Sequence, residues 1–140
     1  MPPIGRAPDV GGAEGDDARG PSMTTIANIA VGVVALLHLY FLVLETFLWD
    51  TPFGRRTFGL TPEFAAASRS LAANQGLYNG FLAAGLAWGL CLGAPGASIK
   101  IFFLACVILA GVFGAFTATR KILWAQAFPG AIALALVLSS

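Results

Sequence analysis

Two ionisable side chains, His38 and Glu45, lie inside one long apolar run, and the next apolar run opens with Asn74, Gln75, Gly76, Leu77, Tyr78 and Asn79. The chemistry such groups offer is specific. An imidazole that titrates near neutrality can relay a proton. A carboxylate can serve as a general base or as the counter-charge to a ligand. Amides and a phenol can line a pocket for a head group or a small molecule. Placing them in hydrocarbon is costly, about 2.5 to 3.5 kcal/mol for a charge at a helix centre. Each also has a structural role open to it. His38 can hydrogen-bond the backbone of a neighbouring helix. Glu45 can pair with Arg69, Arg120 or water, because long basic side chains snorkel. The amides can act as glue between helices, worth about 0.6 kcal/mol each.

Spacing places these groups. At 100° per residue, His38, Glu45 and Trp49 fall within about 40° of one another on one helical face. Trp49 is thereby a candidate pocket wall. Asn74 and Tyr78 are four residues apart, as are Gln75 and Asn79, and together they cover an arc of about 140°. Gly76 and Gly80 form a GxxxG pair on the other side, a candidate contact with a second helix or a second copy of the chain. Two helices joined by one loop run in opposite directions. Glu45 and Trp49 therefore share a depth with Asn74, Gln75 and Tyr78, with His38 deeper.

The elements that carry them are membrane-type helices. Of the 140 residues, 57% are hydrophobic and 11% charged, against about 25% charged in a soluble domain. The expected fold is all-α: a polytopic membrane protein with four transmembrane helices in a bundle, over about 25–49, 71–92, 99–118 and 122–138. The first is long enough to cross a core of about 30 Å. The fourth is short, and Pro129-Gly130 can kink it. Residues 1–22 are rich in Pro, Gly and charge, and read as a disordered tail or as residues preceding a true start at Met23. Residues 23–140 form the transmembrane domain.

The connections add detail. Pro52, Gly54, Gly59 and Pro62 break the chain between the first two helices. Thr61-Pro62-Glu63 reads as an N-cap with Pro at the first helical position, so the second helix begins before the membrane. Loops one and three carry Arg55, Arg56, Arg69, Arg120 and Lys121, against Arg6, Arg19 and Lys100 on the opposite side. That bias predicts a multi-pass cell-membrane protein with both basic loops cytoplasmic. Cys91 and Cys106 read as small apolar core residues rather than a disulfide or metal pair. His38 is the only histidine, so no metal site is expected. No dinucleotide or P-loop signature is present, and no cofactor is expected. A net charge of +1 without a basic cluster argues against nucleic-acid binding.

From Met23 onward the chain also resembles the domain-of-unknown-function 1304 family of short integral membrane proteins. The matching residues are His38-Leu39-Tyr40, Glu45, Trp49 with Thr51-Pro52, Phe58-Gly59-Leu60, the run from Leu71 to Ala83, and Gln126 and Pro129. The resemblance implies a membrane protein and carries no activity with it.

The expected function is binding of a small molecule or lipid in a polar pocket near the cytoplasmic face. The ligand-binding candidates are Glu45, His38, Trp49, Asn74, Gln75, Tyr78 and Asn79. Proton transfer, if any, falls to Glu45 and His38. The alternatives are a homo-oligomeric transport subunit, and a structural protein that stabilises a partner. The bilayer is the one partner common to all three.

Overall fold

A computed structural model describes residues 20–140. Most of the expected tail therefore lies outside the described residues. The elements among the described residues are all helices, with no strand. Helix α1 spans Met23–Val43, capped by the Ser22 hydroxyl, which accepts from the Thr25 amide. It runs on without a break into a π-helical turn at Leu44–Leu48. A short helix, α2, spans Pro52–Phe58, and α3 spans Pro62–Cys91. Helix α4 covers Ala97–Thr117. A second π turn, Leu123–Ala127, leads into α5, Phe128–Leu138.

Local chemistry explains the boundaries. Thr61 caps α3 by accepting the Phe64 amide, with Pro62 in the first turn, as the Thr-Pro-Glu pattern predicts. At 30 residues, α3 is about 45 Å long. It therefore begins well before the apolar stretch at 71. Helix α2, not foreseen from the sequence, starts at Thr51, whose hydroxyl donates to Leu48 O at 2.7 Å and accepts from Gly54 N at 3.2 Å. It ends at Gly59, whose φ of +68° suits a residue without Cβ. The second π turn has a direct cause. Pro129 lacks an N–H to give the carbonyl four residues back, and the Phe128 amide reaches five back, to Leu123 O.

Helix α1 packs against α3 and α5, and α4 packs against the same two. Each of these four helices thus packs against two of the others in one helical unit. Its core is Val31, Val34, Leu86, Leu104, Val107 and Ala133, each at most 1% exposed. Large apolar side chains cover the outside, among them Leu36, Leu71, Phe102, Leu109, Phe113 and Phe116. Two stretches, Met23–Leu48 and Ala94–Thr117, are long and apolar enough to cross a membrane.

Glycines set the closest approaches. Gly76 is buried against α1, where a Cβ would meet the Thr46 side chain and would come within 3.1 Å of Leu42 O. At Gly80 it would touch the Leu42 side chain at 3.4 Å. The GxxxG pair thus closes α1 onto α3 within one chain, the packing role and not a contact with a second copy. Cys91 is exposed, Cys106 is partly buried, and both are free. Cys91 is therefore not a core residue.

Candidate functional site

The polar groups collect at the end of the bundle where α1 finishes and α3 begins. Glu45 sits in the π turn that ends α1. A π turn widens the helix by one residue per turn and is frequent at functional sites. Asn79, 5% exposed, donates from Nδ2 to Glu45 Oε2 at 2.8 Å and to Gln75 O at 3.3 Å. Glu45 Oε1 makes no hydrogen bond among the described residues, and neither Arg69 nor Arg120 pairs with the carboxylate. The one ion pair among the described residues is Arg55 to Asp50 at 3.3 Å. The basic partners open to Glu45 on sequence grounds are thus replaced by a neutral amide.

A cavity of about 140 Å³ opens beside this pair, lined by Phe41, Glu45, Phe58, Gln75, Asn79 and Gln126 among others. Its volume equals that of about four or five water molecules in the liquid. Gln126 comes from the second π turn and donates to Val107 O at 3.4 Å. Both π turns thus deliver a polar side chain to one cavity. A shallow open groove, about 290 Å³, is lined by Glu45, Trp49, Ser68 and Gln75 among others. Trp49 donates from its indole nitrogen to Ser68 Oγ at 3.0 Å and packs on the Phe58 ring at 4.8 Å. Helix α2 therefore folds back to lay Phe58 across the Glu45 end of the bundle.

The remaining predicted residues sit elsewhere. His38 is fully buried nearly two helical turns below Glu45, and its Nδ1–H donates to Val34 O at 2.8 Å in its own helix. Its Nε2 is buried without a partner. No hydrogen bond joins it to Glu45, and it lines neither the cavity nor the groove. Asn74 and Tyr78 are exposed on α3 and also line neither. The structure thus brings Glu45, Gln75 and Asn79 together, with Trp49 adjacent, and leaves His38, Asn74 and Tyr78 apart.

Of the residues named at the cavity, Glu45, Phe58, Gln75, Asn79 and Gln126 are all among those that carry the family resemblance. The family model described as Protein of unknown function (DUF1304) matches residues 32–138. The chain belongs to the DUF1304 family. It is also similar to a protein of Lactococcus lactis subsp. lactis named Uncharacterized protein YpaA, with 31% identity over 120 residues, covering 84% of this chain and 98% of that one. No solved structure matches the chain significantly. Every cavity residue named above lies inside the DUF1304 match.

The structure also shows a buried cation that reasoning from sequence passed over. Lys100, near the start of α4, is 6% exposed, and its Nζ donates to Asn28 Oδ1 of α1 at 2.9 Å. The signal available was a lysine within an apolar helix at the depth of an asparagine in α1. Its weight in the orientation count concealed it.

Proposed function

We propose that this DUF1304 protein is an integral membrane protein of four antiparallel spans that holds a small polar molecule or a lipid head group in the cavity beside Glu45. The observation that carries the reading is the state of the Glu45 carboxylate. One oxygen is fixed by Asn79 at 2.8 Å, the other makes no hydrogen bond among the described residues, and Glu45 lines a cavity that also presents Gln75 and Gln126. A fixed acceptor with one vacant oxygen is suited to receive a hydrogen bond or a proton from a bound ligand. Glu45 takes the proton-accepting role; His38, bonded within α1, takes a packing role.

Several features support the membrane reading. Only 22% of the most apolar window of each spanning stretch is buried inside the protein. The apolar surface left outside spreads over all the long helices, and a monomer in water rarely exposes so much. Helix α3 is long enough to cross, and Leu123–Leu138 reaches about 24 Å. The basic residues Arg55, Arg56, Arg120 and Lys121 all lie at the Glu45 end, which favours a cytoplasmic location for that end.

The test is purification of the full chain from native membranes, with mass spectrometry of co-purifying small molecules and lipids, beside Glu45→Gln. The expected result is a compound enriched in the parent and lost in the variant. The same generic lipid in both would overturn the binding reading.

A further inference from the structure

At the opposite end of the bundle we infer a second site, one for a phosphate group, built around Lys100. Its starting point is an imbalance of charge. The Lys100 ammonium has three donors and no acceptor, and the described residues supply it with one neutral partner, Asn28 Oδ1 at 2.9 Å. No carboxylate side chain among the described residues lies within ion-pair distance of it. A charge buried to this degree is ordinarily paired, because desolvating it without a counter-charge is costly.

The surroundings are shaped for an anion. A cleft of about 280 Å³ borders the ammonium, with Thr24, Asn28, Ala94, Ala97 and Ser140 among its walls. Ala97 opens α4, whose N-cap Gly96 provides no side-chain hydrogen bond. The amides of Gly96 and Ala97 are bonded to Gly93 O and Ala94 O, so α4 contributes here through its dipole and not through a free N–H. Gly89 of α3 makes room for the lysine stem: a Cβ there would come within 2.7 Å of Lys100 Cγ. The bundle thus seats a cation deliberately between three helices. Asn28 and Glu45 are seventeen residues apart in one continuous helical run, so the two sites are about 25 Å apart along the axis. The Lys100 site is independent of the reading given to Glu45.

Lysine binds phosphate as a point charge. Lys100 lies about 6 Å along the axis from Gly96, within the first turn or so of α4. The group bound is either a lipid head-group phosphate or a free phosphate, and the experiment separates them. The full chain in detergent is analysed by native mass spectrometry for retention of phosphatidylglycerol against diacylglycerol. In lipid-free detergent it is titrated with inorganic phosphate, followed by phosphorus NMR. The informative variant is Asn28→Asp, nearly isosteric, which gives Lys100 an internal counter-charge and so should expel the anion while preserving the fold. Lys100→Met is its companion, and Lys121→Gln is the control.

Selective retention of phosphatidylglycerol, weakened at least tenfold by Asn28→Asp and unchanged by Lys121→Gln, assigns a head-group site. Phosphate binding with the same pattern of variants assigns a soluble anion. Equal retention in the parent and Asn28→Asp, or a parent that binds neither probe, overturns the proposal and leaves Lys100 as a clamp between α1 and α4.

Discussion

The hydrogen bond from Asn79 to Glu45 should be measurable as a coupling energy. Asn79→Ala removes the donor held at 2.8 Å from Oε2 in a region where Asn79 is 5% exposed. Leaving a buried acceptor unsatisfied costs about 1–3 kcal/mol in soluble proteins. Interhelical polar pairs in membranes average about 0.6 and reach about 1.7 kcal/mol, because the unfolded chain finds other partners there. The expected cost of Asn79→Ala is therefore about 1–2 kcal/mol. A double-mutant cycle with Glu45→Ala isolates the pair and should give a coupling of about 0.6–1.7 kcal/mol. Glu45→Gln keeps an oxygen able to accept from Asn79 but loses the charge. Charge-assisted bonds are about twice as strong as neutral ones, so its coupling should fall to roughly half. The assay is reversible unfolding in bicelles, by detergent titration or steric trapping. A coupling within about 0.3 kcal/mol of zero, the scatter expected of independent sites, would refute the claim that Asn79 holds the carboxylate.

Three other outcomes follow from the packing and topology. Gly76→Leu should lower stability by about 1–3 kcal/mol through overpacking against Leu42 and Thr46, without changing the oligomeric mass in detergent; a change of mass would return the GxxxG pair to an intermolecular role. Pro129→Ala restores a backbone donor and should convert the second π turn to α-helix, turning Gln126 away from Glu45. In a background where Cys91 and Cys106 are replaced, a short bifunctional reagent should join Glu45→Cys to Gln126→Cys only while Pro129 is present. In the same background Thr57→Cys should label from the cytoplasmic side and Ser139→Cys from the opposite side, and the reverse pattern would invert the topology.

Sequence alone placed Glu45 level with residues 74–79 because depth follows from chain direction. The loop between α1 and α3 forces Glu45 and residues 74–79 to one level, and Thr61 announces where α3 begins. Which neighbour each face meets is a different matter. Periodicity shows that Asn74 and Tyr78 share a stripe, yet the structure leaves both exposed, with α4 closest to α3 farther along, at Gly85 against Phe103 and Gly89 against Lys100. Gly76 and Gly80 face α1 for the same reason: a stripe has no address until the bundle is assembled. The π turns were illegible as well. One follows from Pro129, but a 100° wheel cannot represent an extra residue in a turn, so the convergence of Glu45 with Gln126 could not be drawn from it.

The two π turns have an evolutionary consequence. A π turn is an α-helix carrying one surplus residue, and each here falls between a stretch that packs the core and a stretch that faces other surroundings. Deleting one residue from Leu44–Leu48 would let α1 close into a regular helix and rotate everything beyond it by about 100°, while Val31, Val34 and His38 kept their places. The core and the polar end of the bundle are thus indexed separately along the same helix. Single-residue insertions and deletions at these turns would re-aim Glu45 or Gln126 at the expense of the buried Leu44 or Ala127, and alignments of DUF1304 proteins should place length variation there.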